Sequence, residues 1–210
     1  GDPDDCAGAG CAGCDACGGL SCETNETGVP AAVSGFRLDR YEVTVRGLAN
    51  HAGTTRMADR QDALLAASRL ALAVNETVRA VEGQQVGTVG KFEVSPNAQN
   101  VVPGEVRLVI EMRDLSNEKL LGMAAAIEVK ARTIAAEWRT SIEISQRSHS
   151  EGGPMDAALR RLIEQQAAGL GLRSRALPSM AGHDAAAMSR LCETAMIFVP
   201  SVNGISHSPK

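Results

Sequence analysis

Alternating apolar and polar residues predict four β-strands in the first two-thirds of the chain. In residues 36–46, the apolar side chains of Tyr41, Val43 and Val45 alternate with polar ones. A period of two is typical of a strand with one face in a core and the other in solvent. Similar short segments predict three further strands, at residues 85–94, 105–113 and 140–146.

Two longer segments, residues 57–81 and 117–138, repeat their apolar residues every three or four positions. This period is typical of an amphipathic helix that packs one face against a core. The predicted order is strand, helix, strand, strand, helix, strand, which is the βαββαβ layout of a ferredoxin-like sandwich within the mixed α/β (α+β) class. Such a fold leaves a sheet edge and a helix exposed, and we expect this surface to pair with a second copy of the chain.

After His149 the pattern changes. It predicts a helix at 154–170, a short extended piece at 174–177, a helix at 183–191 and a buried apolar strand at 195–200. This tail has few apolar residues for a core of its own, so we assign it to a different domain. The predicted organisation is a leader at residues 1–27, a sandwich domain at 28–149 and a tail at 150–210.

The leader contains five of the six cysteines, at Cys6, Cys11, Cys14, Cys17 and Cys22. The Cys11-x-x-Cys14-x-x-Cys17 spacing is compatible with a thiolate metal site or an iron–sulfur site. However, the leader has too few large apolar residues to offset the entropy lost on ordering. We therefore favour a disordered, low-complexity leader, or a segment foreign to the downstream domain. We least favour a secreted disulfide scaffold, because only Cys192 lies downstream.

Composition and charge indicate which kinds of molecule the protein is expected to bind. Hydrophobic residues make up 44% of the chain and charged residues 22%, as in ordinary globular proteins. The net charge of −4 disfavours a nucleic-acid partner, which would require a basic patch. Apolar runs stay well short of the ~20 residues that span a bilayer, and the first residues lack the basic and apolar segments of a signal peptide. We expect a cytoplasmic protein with no nucleic-acid or membrane partner.

Several polar residues lie where predicted strands, helices or loops begin or end. His51 lies between a strand and a helix, where it could polarise an anionic oxygen. Asn100 in a loop and Arg113 at a strand end could bind a carboxylate. His183 lies at a helix start, and His207 lies in a loop where a neutral imidazole could bind a metal. Taken singly, each also fits a structural role in a turn, a cap or a surface salt bridge.

Four of these residues, His51, Asn100, His183 and His207, belong to four motifs in a fixed order. The motifs are His51-Ala52-Gly53-Thr54-Thr55, Pro96-Asn97-x-x-Asn100-Val101-Val102-Pro103-Gly104, Leu177-Pro178-Ser179-x-Ala181-Gly182-His183-Asp184-Ala185, and Met196-Ile197-Phe198-Val199-Pro200-Ser201-x-x-Gly204-Ile205-Ser206-His207-Ser208-Pro209. The series resembles the N-carbamoyl-L-amino-acid hydrolase and allantoate amidohydrolase family, among the aminoacylase and carboxypeptidase-like metallohydrolases. The resemblance implies that residues 28–149 are a dimerisation (lid) domain and that residues 150–210 are the C-terminal segment of an α/β catalytic domain.

The resemblance also implies a chemistry. The family hydrolyses linear C–N bonds of carbamoyl or ureido acids with two divalent ions, such as zinc or manganese, that activate a bridging water. His51 matches a lid histidine that stabilises the oxyanion in the partner subunit's active site, so a homodimer is expected. Asn100 and Arg113 match residues that hold the substrate carboxylate, and His183 matches a residue lining the site. His207 matches the last metal ligand.

The chain departs from the family in ways that bear on activity. The family's His-x-Asp motif, bridging Asp, Glu-Glu pair and His-Ile-Glu-Gln-Gly motif do not occur in these 210 residues. Arg56 stands where Pro is usual, Glu111 where Asp is usual, and Met180 where Gly is usual. We expect a fragment that is inactive by itself, or alternatively a non-catalytic dimerisation module. The substrate stays open among carbamoyl amino acids, allantoate, ureidoglycolate and β-ureidopropionate.

Overall fold

The structure is a computed structural model that describes residues 28–198. Within this range the chain forms strands and helices in the order β1 (Gly28–Gly35), β2 (Arg37–Arg46), β3 (Asn50–His51), α1 (Ala63–Ala80), β4 (Val86–Ser95), β5 (Val101–Val102), β6 (Glu105–Asp114), α2 (Asn117–Trp138), β7 (Ser141–Ser150), α3 (Ala157–Gly169), β8 (Arg173–Ser179) and α4 (Asp184–Met188). The predicted mixed α/β class is confirmed. Among the helices in this range, none is long and apolar enough to cross a membrane.

Four strands form the main sheet, in the order β4-β6-β2-β7, with every neighbouring pair antiparallel. The register of the two central strands places Tyr41 opposite Ile110 and Val43 opposite Leu108. Two smaller sheets have two strands each, since β3 pairs with β5 and β1 pairs in parallel with β8. Residues 28–35 therefore lie beside the C-terminal segment and not in the main sheet.

The core lies between the main sheet and the helices α1 and α2, which pack on the same face. The apolar half of each alternating strand faces these helices. The helices supply further buried residues, among them Ala66, Leu70, Val74, Leu120, Met123 and Ile127. The opposite, outer face carries charged side chains that pair across strands, such as Arg40 with Glu111 and Arg46 with Glu105. Because exposed ion pairs add little stability, the core is what holds the sheet together.

The prediction of a helix from residue 57 was wrong at its start. Residues Met57–Asp59 form a single 3-10 turn, and α1 begins at Ala63. The Asp62 side chain caps this helix by accepting hydrogen bonds from the N–H groups of Leu64 and Leu65. An aspartate that caps in this way satisfies backbone donors that have no partner within the helix.

The tail is less regular than predicted. The Asp156 side chain caps α3, so this helix begins at Ala157, and α4 ends at Met188. The predicted apolar strand at 195–200 was wrong within the described part, where residues 195–198 contain an isolated bridge at Ile197. A short apolar run does not form a strand unless a neighbouring strand accepts its hydrogen bonds. The predicted leader with its five cysteines, and His207, lie outside the described residues.

A buried carboxylate joins β2 to β7. Asp39 is fully buried and lies opposite His149 in the antiparallel register. Its carboxylate accepts hydrogen bonds from Tyr41 Oη at 3.3 Å and Gln146 Nε2 at 3.1 Å, and it lies 2.5 Å from His149 Nδ1. The other ring nitrogen, Nε2, lies 3.1 Å from Glu151 Oε1. Since both ring nitrogens face carboxylate oxygens, both must donate, which requires the protonated imidazolium.

Protonation of His149 is therefore expected to stabilise the fold. The hydrogen bonds to Asp39, and then to Glu151, raise the pKa of His149 above its usual value of 6.5. A raised pKa in the folded state contributes stability that is full below the unfolded pKa and is lost as the pH rises through the folded pKa. We expect the difference in unfolding free energy between wild type and His149→Asn to shrink with rising pH over this window. Urea denaturation between pH 5 and 9 measures it, and a difference that grows with pH would contradict the assignment.

Candidate functional site

The structure brings His51 and Asn100 together. The two-residue strands β3 and β5 pair with His51 opposite Val101, and the Ala52 N–H donates to the Asn100 carbonyl at 2.8 Å. The small β3–β5 sheet they form lies beyond the end of the main sheet where β2 stops at Arg46. Two motifs far apart in sequence are therefore neighbours in the fold.

The His51 ring is held with one nitrogen available. Its Nδ1 accepts a hydrogen bond from the Gly53 N–H at 3.1 Å, and the side chain is exposed. In a neutral imidazole, accepting at Nδ1 requires the proton to be on Nε2. His51 thus presents an N–H donor to solvent, which is the group that could stabilise an oxyanion.

Arg113 lies on the outer face of the main sheet, near the end of β6. Its Nε and Nη2 donate to Glu111 Oε1 at 2.8 and 2.5 Å, and its Nη1 donates to the Met180 carbonyl at 2.8 Å. The guanidinium carbon lies 4.8 Å from the centre of the Phe36 ring, within cation–π range. Three groups, from Glu111, Met180 and Phe36, therefore fix its position.

His183 lies close to this arginine through the loop that precedes α4. Its Nε2 is 2.6 Å from Ser179 Oγ, and Ser179 is only 4% exposed. The His183 and Phe198 ring centroids are 6.1 Å apart. Met180, whose carbonyl accepts the Arg113 hydrogen bond, lies between Ser179 and His183. The structure therefore joins Arg113 to the short loop that leads to His183.

These two pairs of residues do not meet within one chain. The small β3–β5 sheet with His51 follows the end of β2 that pairs with Glu105, whereas Arg113 lies at the other end of β6. At ~3.3 Å per residue, the stretch from Glu105 to Arg113 spans roughly 25 Å. A single chain therefore does not bring Asn100 and Arg113 to the same carboxylate, although the sequence motifs associate them with one.

The comparison with known proteins decides the family. The sequence pattern of peptidase family M20/M25/M40 matches residues 23–210. The chain belongs to this family. It is 38% identical to allantoate amidohydrolase of Escherichia coli (strain K12) over 186 residues, and 36% identical to N-carbamoyl-L-amino acid amidohydrolase of Geobacillus stearothermophilus over 188 residues. Those matches cover 87% and 88% of this chain, but only 44% and 45% of the two enzymes.

Solved structures of the family share the fold. The structure of AtUAH in complex with glyoxylate superimposes with a TM-score of 0.79 at 31% identity, covering 86% of this chain and 43% of that one. The chain thus spans less than half the length of the relatives named here. The N-carbamoyl-L-amino-acid hydrolase and allantoate amidohydrolase resemblance expected from the motifs is confirmed at the level of the family and its named members.

The described part of this family member does not fit a metal centre. Across residues 28–198, no group of three or more His, Cys, Asp or Glu side chains could hold a metal ion. A dinuclear site needs several such ligands around each ion. We therefore assign no reaction step through a metal to these residues.

The residues around Arg113 were not singled out by the sequence as site residues. Glu111 was noted only because the family usually has Asp at that position. Ser179 was part of a motif but was given no role, and Phe36 and Arg40 carried no signal of their own. A register prediction could have found Arg40, since it lies directly opposite Glu111 on the neighbouring strand. Phe36 and Ser179 reach the site through contacts that only the folded chain defines.

Proposed function

We propose that this chain supplies the lid and the C-terminal catalytic segment of a metal-dependent amidohydrolase that cleaves linear C–N bonds of N-carbamoyl or ureido acids. The observation that carries the proposal is the Arg113 guanidinium, which is fixed on the outer sheet face beside the His183 loop. An arginine fixed in this way suits recognition of a carboxylate. Relatives named for allantoate and N-carbamoyl-L-amino acids support this substrate class.

The proposed lid comprises residues 28–149, with residues 150–210 as the catalytic-domain segment. The strand order β4-β6-β2-β7, with two helices on one face, supports a ferredoxin-like lid. In the complete enzyme we propose two divalent ions, zinc or manganese, with His207 as one ligand. Bound ions of this kind would supply Lewis-acid chemistry for hydrolysis.

The separation of the two residue pairs supports a homodimer. His51 and Asn100 of one chain would act with Arg113 and His183 of the partner subunit, because the two ends of β6 are roughly 25 Å apart. In this arrangement the His51 Nε2–H stabilises the oxyanion, and Arg113 holds the substrate carboxylate. Asn100 contributes an amide to the same substrate, and His183 lines the site.

Carboxylate recognition is testable on the purified 210-residue chain. N-carbamoylglycine is expected to bind, whereas N-carbamoylglycinamide, which lacks the charge, is not. Arg113→Gln should weaken binding of the acid at least about tenfold, because a charge-assisted pair of hydrogen bonds is lost. Isothermal titration calorimetry measures binding, and with added Mn²⁺ no release of glycine is expected from the chain alone.

A matched control is Arg107→Gln, since Arg107 lies on the same outer face but pairs with Glu105. This variant should bind the acid as wild type does. Equal binding of the acid and its amide would contradict the carboxylate site. Together with a stable dimer, that result would favour the alternative of a non-catalytic dimerisation module.

The edge formed by β4 and α1 is the proposed dimer surface. Strand β4 pairs only with β6 among the described strands, and Phe92 on it is 38% exposed. On the neighbouring helix, Leu65 and Leu72 are 39% and 56% exposed. Exposed apolar side chains beside an open strand edge favour pairing with a second copy. Both edge strands, β4 and β7, have a register shift and carry charged side chains, so the choice of the β4 edge rests on Phe92 and the two leucines.

Phe92→Lys is expected to convert a dimer to a monomer, because a charge would be buried in the contact. Light scattering at micromolar concentration measures the mass. The control is Leu121→Lys, which changes a leucine that is 55% exposed on α2, away from this edge. A wild-type chain with the mass of a monomer would contradict the proposed dimer, and dimers of both variants would contradict the surface.

A further inference from the structure

Glu111 lies between two arginines on the outer face of the main sheet. One carboxylate oxygen, Oε1, accepts hydrogen bonds from Arg113 Nε and Nη2, and the other, Oε2, accepts one from Arg40 Nε at 2.7 Å. The side chain of Glu111 is 24% exposed and that of Arg113 is 28% exposed. The three residues form a partly buried unit with two positive charges and one negative charge.

The Arg113 guanidinium has N–H groups beyond those that Glu111 and Met180 accept. Of its five N–H groups, Glu111 takes the Nε–H and one on Nη2, and Met180 takes one on Nη1. One N–H on each terminal nitrogen thus has no partner among residues 28–198. Two N–H groups on adjacent nitrogens can bind the two oxygens of a carboxylate at once.

We infer that Glu111 is a positioning residue, which fixes the Arg113 guanidinium by one edge so that its other edge receives the substrate carboxylate. This inference rests on the proposed function, because it takes the bound group to be the acid end of an N-carbamoyl or ureido acid. The net charge of the unit, +1, accommodates one further carboxylate. Burial alone would raise the pKa of Glu111, but hydrogen bonds from Arg113 and then Arg40 outweigh this effect and lower the pKa. The Glu111 carboxylate that holds Arg113 is therefore charged at neutral pH.

A competing interpretation makes Glu111 a repulsive neighbour that weakens anion binding by its charge. The two interpretations predict opposite effects when the side chain is truncated. If Glu111 positions Arg113, its loss frees the long arginine side chain, which must then be ordered again on binding. If Glu111 only repels the ligand, its loss strengthens binding.

The experiment uses the full 210-residue chain, labelled with ¹⁵N, and glyoxylate as the probe. The NMR signal of the Arg113 Nε–H reports its order and solvent exchange, and its shift on titration gives the dissociation constant. Glu111→Ala is expected to speed exchange of this hydrogen and to raise the dissociation constant about threefold to tenfold. Glu111→Gln keeps an oxygen acceptor without the charge, so it should restore most of both. Arg132, which bonds to Glu128 on α2, is the internal control.

Tighter glyoxylate binding by Glu111→Ala, or an unchanged Arg113 Nε–H, would overturn the positioning role. A different result tests the proposed function itself. If wild type does not bind glyoxylate, or if Arg113→Gln binds it equally well, the carboxylate site is wrong. The exchange rate of the Arg113 Nε–H still decides whether Glu111 fixes the arginine, because that measurement needs no ligand.

Discussion

Replacing Gly47 with alanine is expected to destabilise the chain by about 1–3 kcal/mol, although it adds a single methyl group. A Cβ at this position would lie 2.0 Å from the Gln61 carbonyl oxygen and 3.0 Å from the Ala63 nitrogen. Both are backbone atoms, so neither can rotate away. The end of β2 would have to move away from the start of α1, and the Leu48 N–H would lose its hydrogen bond to the Gln61 carbonyl.

The matched control is Gly122→Ala, because a Cβ at Gly122 in α2 would meet nothing within 4 Å. Alanine in a helix is expected to stabilise by about 0.5–1 kcal/mol relative to glycine. The same substitution should thus have opposite signs at the two positions. Urea denaturation followed by the fluorescence of Trp138, the single tryptophan, measures both. Equal stability of Gly47→Ala and wild type would contradict the close backbone approach.

The Gly47 contact also matters for the candidate site, because the chain continues from it directly into β3, which contains His51. The Gly47 N–H donates to the Gly104 carbonyl at 2.8 Å, which joins the segment before β3 to the turn after β5. A shift at residue 47 would therefore move His51 and Asn100 together. Amide NMR signals of both residues should change in Gly47→Ala and stay in place in Gly122→Ala.

The main sheet could be predicted from the sequence because its signal is local. Alternation in β2 and β6 and helical periods in α1 and α2 follow from which side of each element faces the core. The start of α1 was mispredicted because apolar residues continue upstream of Asp62. The helix begins after Asp62 because that single side chain caps it, and periodicity does not report a cap. Strand β1 was missed, since its Gly, Pro and Ser residues are typical of turns.

The candidate site could be predicted only as separate residues. The motifs gave His51, Asn100 and His183, and the strand end gave Arg113, but spacing along the chain says nothing about which of them meet. The pairing of β3 with β5 joins His51 to Asn100, and the Met180 carbonyl joins Arg113 to the His183 loop. The first link is backbone pairing and the second is a side-chain bond to a backbone carbonyl, and both are long-range contacts that periodicity does not encode. The placement of these pairs at opposite ends of β6 required the sheet register.

Replacing Leu108 with alanine is expected to lower the free energy of unfolding by about 2–5 kcal/mol, the largest stability effect expected for this chain. Leu108 lies in the central strand β6, is 1% exposed, and is flanked by Val43 on one side and Phe92 on the other. Truncation removes apolar contacts and leaves a cavity that neighbours on two strands cannot fill without breaking the register. The upper end of this loss is comparable to the lower end of the roughly 5–15 kcal/mol by which typical domains are stable.

The matched control for this change is Leu121→Ala, which removes the same atoms from a side chain that is 55% exposed on α2. Leucine and alanine have similar helix propensities, so this variant should stay within about 0.5 kcal/mol of wild type. Urea denaturation with the Trp138 signal compares the two, since Trp138 packs against the same core. Equal losses would mean that the core does not lie between β6 and the helices. A large loss confined to Leu108→Ala would show that the outer face, with its ion pairs and Arg113, depends on this apolar layer.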